Sequence, residues 1–142
     1  MKRISIIVFV LLFSCKPEPE ALRYGHDVCH TCKMTLVDKK YGAELVTAKG
    51  KVYKFDDVNC MAGFIHSGYL NDQTISLTLI TDYAQPGTLI PAEAAFYLKS
   101  DNLRSPMASG IAAFGSGEVL QKNKETLTGT ELRWSEVLTQ FE

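Results

Sequence analysis

Apolar positions along the chain fall into short runs with distinct spacings. Ala43 to Ala48 and Val52 to Phe55 carry strand-forming residues and are joined by Lys49-Gly50-Lys51, a turn signal at hairpin spacing. Asp56 or Asp57 can cap a helix running to about His66, because Met61, Phe64 and Ile65 recur three and four apart on one face and Gly68 can end it. Ile75 to Thr81 alternates apolar and polar residues, as a half-buried strand does. The second half repeats this order more loosely. It has a strand from about Ala94 to Lys99, an apolar segment at Ile111 to Phe114, and a helix starting at Ser116 or Gly117. A last amphipathic helix is expected over Leu132 to Phe141, with Trp134, Val137, Leu138 and Phe141 on its apolar face. Pro86-Gly87 and Pro91 mark a linker between the halves. The prediction is an α+β domain whose strand-strand-helix-strand order recurs.

The first residues read differently. Lys2 and Arg3 precede an apolar run from Ile4 to Phe13, the layout of a cleaved export signal over residues 1–14. The run is too short to cross a bilayer, which takes about 20 residues. Leu12, Ser14 and Cys15 stand where a lipobox places its residues, so Cys15 is the expected lipid attachment site. Residues 15–21 then form a tether, since Lys16-Pro17-Glu18-Pro19-Glu20 cannot continue a helix and favours extended chain. The globular part is expected over 22–142, in subunits of roughly 22–84 and 92–142. Taking 14 residues from 142 leaves 128, enough for one domain with a real core. Lys2 and Arg3 go with the leader, leaving 13 basic against 16 acidic residues and a net charge of −3. That balance offers no basic patch for nucleic acid. Lys16 after the lipid-bearing cysteine, in place of aspartate, fits outer-membrane sorting.

Candidate chemistry is concentrated in one stretch. Beyond Cys15 the cysteines are Cys29, Cys32 and Cys60, and beyond Met1 the methionines are Met34, Met61 and Met107. Cys29-x-x-Cys32-x-Met34 offers three sulfurs on one loop, and thiolate with thioether favours Cu(I) over harder ions. In extended chain Cys32 and Met34 project the same way, whereas a helix would separate them by about 200°. Cys60 and Met61 add a second adjacent pair. Met61 lies on the apolar face of its helix, which suits a core role as well as a ligand role, and Met107 lies in a polar loop.

Other readings of the same residues stay open. Cys29 and Cys32 can form a disulfide in an oxidising compartment, as in an exported thiol-disulfide protein. Cys29, Cys32, Cys60 and His66 can close a structural zinc site. Haem attachment is excluded because Lys33, not histidine, follows Cys32. His26 and His30 are expected to be exposed loop residues. The adjacent Asp56 and Asp57 are better explained as a helix cap with a favourable N-terminal charge than as a catalytic pair.

Cys29-His-Thr-Cys32-Lys-Met34, Lys54-Phe-Asp-Asp-Val-Asn-Cys60-Met61, Ala94-Ala-Phe-Tyr97 and Ser105-Pro-Met107, in that order, resemble the NosL family. The resemblance implies a lipoprotein copper chaperone and no enzymatic activity. It would supply Cu(I) to a client copper enzyme, the copper-sulfide centre of nitrous oxide reductase in denitrification, from a lipid anchor facing the periplasm. It implies a fold of two similar ββαβ units and points first to Cys32 and Met34 as ligands, then Cys29 and Met107. Where the family often has glycine between cysteine and methionine, this chain has Lys33, which adds a side chain and a positive charge beside the loop.

Overall fold

The computed structural model describes residues 16–141, so the expected export signal and Cys15 lie outside the described residues. Seven strands and three helices follow. β1 (Ala43–Thr47) and β2 (Val52–Phe55) form the expected hairpin, with Ala43 opposite Phe55 and Val46 opposite Val52. Gly50, at φ 79°, makes the reversal that a side chain would strain. α1 (Val58–His66) begins after Asp57, whose extended backbone and side chain cap the first turn. β3 (Ile75–Thr81) then returns antiparallel to the other edge of β1. β4 (Leu89–Pro91) adds an edge strand, giving the order β2-β1-β3-β4.

A single 3-10 turn at Ala92–Ala94 leads into the second unit. β5 (Phe96–Lys99) pairs with β6 (Ile111–Phe114), α2 (Gly117–Leu127) follows under a Ser116 cap, and β7 (Thr130–Leu132) returns to the other edge of β5. The order β6-β5-β7 is that of β2-β1-β3, so the fold is α+β with one ββαβ plan used twice. α3 (Trp134–Thr139) closes the described chain.

Four expectations change. Pro91, read as linker, ends β4, where proline is tolerated because an edge strand can spare one donor. The strand expected from Ala94 starts at Phe96, because the 3-10 turn takes up Ala92–Ala94. β7 has three residues, two of them exposed, and so carries almost no periodic signal. It claims Leu132, which delays the last helix to Trp134.

The larger core spans both units. Leu45, Tyr53 and Phe55 from the first sheet, Met61 and Phe64 from α1, and Tyr97, Ala113 and Val137 from the second unit are buried in one cluster. Met61 and Phe64 lie on the face that the spacing marks, with Ile65 at its margin. Burying each large apolar side chain contributes about 1.5–3 kcal/mol before entropy is counted. A second cluster, Leu98, Leu103, Ala112, Phe114 and Leu120, sits on the other face of the second sheet. A parallel bridge between Asp82 and Ala113 also joins the units.

Gly129 marks a point with no room. Its φ is 120°, and a Cβ there would lie 2.2 Å from the Lys99 carbonyl oxygen. Gly129→Ala should therefore lower stability by at least about 1–3 kcal/mol, the usual cost of a strained backbone. Urea unfolding followed by circular dichroism reads this directly, and an unchanged midpoint would mean that the α2–β7 turn is not held as described.

Candidate metal centre

The segment before β1 is folded back on itself. Val28 and Thr35 form an antiparallel bridge. Inside it, the Cys29 N–H donates to the Met34 carbonyl at 2.8 Å and the Lys33 N–H to the Cys29 carbonyl at 3.1 Å. Outside it, the Leu36 N–H donates to the Asp27 carbonyl at 2.9 Å. So tight a reversal puts one residue in the left-handed region, and that residue is Lys33 at φ 64°. The extended chain expected for Cys32 to Met34 is thus a turn, and the turn brings Cys29 and Cys32 together. Two side-chain and main-chain ties hold this loop on the body. The Thr31 hydroxyl donates to the Cys60 carbonyl at 2.9 Å, and the His30 N–H donates to the Lys54 carbonyl at 2.8 Å.

The Sγ atoms of Cys29, Cys32 and Cys60 and a carboxylate oxygen of Asp56 all lie within 4.8 Å of one another. The three thiols are free, so the disulfide reading is not realised in this state. They come from the loop and from α1, and Asp56 comes from the corner between β2 and α1. Only one of two adjacent aspartates can cap the helix. Asp57 does so, which leaves Asp56 to face the thiols. The spare aspartate is visible in the sequence, but nothing along the chain says what it faces.

Burial grades the site. Cys29 is 0% and Cys60 5% exposed, while Cys32 is half-buried at the mouth, 3.5 Å from both Asp56 oxygens. Cys60 hydrogen-bonds the Cys29 sulfur, and this brings the Cys29 pKa down to about 6 although burial opposes it; backbone N–H groups of Cys32, Asp56 and Thr31 add to the effect. The same bond, then burial, pushes Cys60 far up. Cys32 is also raised, first by burial and further by Cys29 and Asp56. The cluster therefore favours a first negative charge held by the deep Cys29–Cys60 pair and resists a second.

The remaining sequence candidates differ in burial. Met61 is fully buried in the core behind it. Met34 is 49% exposed. Met107 is half-buried against the same core cluster, and its main chain is tied to α1. His66 does not join: it lies at the far end of α1, its Nε2 3.1 Å from the Leu138 carbonyl oxygen, and Asp56 stands where the zinc reading placed it. His26 is exposed as expected. His30 is not, since its ring packs edge-on against Tyr53 and Phe64 with centroids 4.8 and 5.0 Å away. Burial lowers its pKa, and Lys33 and Lys51 act in the same direction.

A sequence model of the family described as NosL matches residues 23–141. No curated protein matches the chain. Among solved structures, a crystal structure of the copper chaperone NosL from Shewanella denitrificans is similar in fold, with a TM-score of 0.69 at 20% identity over 84% of this chain and 95% of that one.

Two outcomes are expected from the loop's geometry. Lys33→Gly should raise stability by about 0.5–1 kcal/mol, because relief of the left-handed strain exceeds glycine's extra chain entropy; a lowered thermal midpoint would contradict it. The metal-free protein should also gain stability as pH rises from about 6 towards 9. Cys29 is lowered from 9.0 to about 6, so the unfolded chain binds the extra proton across that window. The raised thiols, Cys32 and Cys60, oppose this only above pH 9, where their unfolded forms ionise first. An ultraviolet thiolate titration in which one thiolate appears near pH 6 and two only above 9 checks the assignment, and three equal steps would overturn it.

Proposed function

Because the chain belongs to the NosL family, we propose that it is an exported lipoprotein that binds Cu(I) through Cys29, Cys32 and Cys60 and passes it to an exported copper enzyme. The chain is not an enzyme; copper is its cargo. The client in this reading is nitrous oxide reductase, at its copper-sulfide centre, and the anchor is a lipid on Cys15 facing the periplasm from the outer membrane. The observation that carries copper handling is the convergence of three thiols on one point with one of them at the mouth.

The burial gradient fits a carrier. Cu(I) favours soft sulfur and low coordination numbers. Cys29 already offers a thiolate, so binding has to displace fewer protons than three ordinary thiols would require. Cys32 at the mouth and exposed Met34 beside it supply sulfurs that an incoming ligand can replace in turn. Cys60 and Cys29 hold the ion from below, and Met107 is the thioether offered by the second unit. Lys33 turns its ammonium to the His30 carbonyl on the outer side of the loop.

A second reading draws on Asp56. A carboxylate beside three thiols makes a four-donor set that also suits structural Zn(II). The full-length chain, purified anaerobically in detergent and titrated with Cu(I) against a chromophoric chelator, separates the two. One Cu(I) per chain is expected, with affinity falling at least tenfold in Cys32→Ala or Cys60→Ser and with circular dichroism unchanged, about the loss of one strong interaction. Stoichiometric zinc that Cu(I) fails to displace, with unfolding on chelation, would instead make this a zinc-stapled domain.

A further inference from the structure

Asp57 makes more bonds than a helix cap requires. Its Oδ1 accepts from the Val58 N–H at 2.7 Å, which caps α1, and from the Ser109 hydroxyl at 2.6 Å. Its Oδ2 accepts from the Met107 N–H at 3.0 Å. Two residues on, the Asn59 side-chain amide donates to the Met107 carbonyl at 3.0 Å. Both main-chain groups of Met107 are thus held by the first turn of the helix that carries Cys60. The equivalent corner of the second unit shows what a cap alone needs. There Ser116 caps α2 with one hydroxyl oxygen, accepting from the Val119 N–H at 3.3 Å.

The loop held by Asp57 is itself closed. Ser105 and Ser109 share a hydroxyl bond at 3.0 Å, the Ala108 N–H donates to the Ser105 carbonyl at 3.0 Å, and Ala108 sits at φ 55°. A preformed turn of this kind has one docking geometry, and Asp57, fully buried, fixes it.

We infer that Asp57 is a positioning residue for copper binding, its second carboxylate oxygen docking the Met107 loop of one unit onto the Cys60 helix of the other so that the thioether meets the thiol cluster. The inference rests on the reading of Met107 as a copper ligand. Asp57 itself does not touch the ion. Its grip removes the loop's freedom before copper arrives, so that the Met107 side chain alone remains to be ordered on binding.

The test is a double-mutant cycle on the full-length chain in detergent, read by Cu(I) competition and by the number of copper-bound sulfurs in X-ray absorption. Asp57→Asn keeps the volume and the capping oxygen but turns an amide towards the Met107 N–H. It should weaken Cu(I) about tenfold, the scale of one charge-assisted hydrogen bond, with one sulfur fewer per copper. In a Met107→Leu background the same change should add less than about twofold. Should Asp57→Asn fail to fold, Asp57→Ser, which copies the Ser116 cap, serves in its place. Equal weakening in both backgrounds, or wild-type affinity with an unchanged sulfur count, would overturn the positioning role. Met107→Leu binding copper as tightly as the parent would instead sink the ligand reading, and the inference with it.

Discussion

The backbone reversal between Val28 and Thr35 is the constraint on which the rest of the site depends. Cys29 and Cys32 converge only because the chain turns between them, and the turn exists only because Lys33 accepts a left-handed conformation. That conformation costs about 1–2 kcal/mol in a residue with a Cβ. The turn in return aims the backbone N–H groups of Thr31 and Cys32 at the Cys29 sulfur, where Asp56 adds a third. A buried thiolate needs such donors, since an ionised group without partners is expensive to keep out of water. Cys60 from α1 gives the larger share of the support for the thiolate, and the strained turn supplies the rest.

The repeated ββαβ plan explains where the third thiol and the carboxylate come from. Phe55-Asp56-Asp57 and Phe114-Gly115-Ser116 occupy the same corner, each ending a second strand and starting a helix. In the second unit Gly115 stands where Asp56 stands in the first. It is packed so closely on Asp82 that a Cβ would lie 2.9 Å from its carboxylate. One corner thus became a donor corner and the other a joint between sheets. Capping is common to both and left the neighbouring residue free to diverge.

Most of this was legible in the sequence where one physical demand dominated. The β1–β2 hairpin, α1 and β3 were readable because spacing, turn chemistry and capping agree at those residues. β4 and β7 were not. They are three-residue edge strands set by pairing with β3 and β5, and a run that short has no period to detect. At the site, the cysteines were visible as chemistry, and the family resemblance placed them on one scaffold. His30 and Asp56 were misjudged for a common reason. Their roles follow from what faces them across the fold, aromatic rings in one case and thiols in the other, and no spacing along the chain reports that.

Lys54 joins the amino-terminal strap, residues 16–21, to the metal loop. Its ammonium contacts Glu20 at 3.0 Å on the strap and Asp27 at 2.8 Å at the base of the loop. The two pairs differ in burial: the Glu20 side chain is 62% exposed and that of Asp27 6%. An exposed pair contributes at most about 1 kcal/mol, whereas opening a buried one leaves a charge unpaired at about 3–5 kcal/mol. Asp27 bears out the strength of the second pair. Burial would raise its pKa, yet Lys54 and Arg23 together hold it at about 2. Losing the Glu20 ion pair therefore costs little and leaves Lys54 on Asp27, while the strap stays held by the Glu20 N–H on the buried Glu44 carboxylate at 2.9 Å and by the Lys54 ammonium on the Ala21 carbonyl at 3.2 Å.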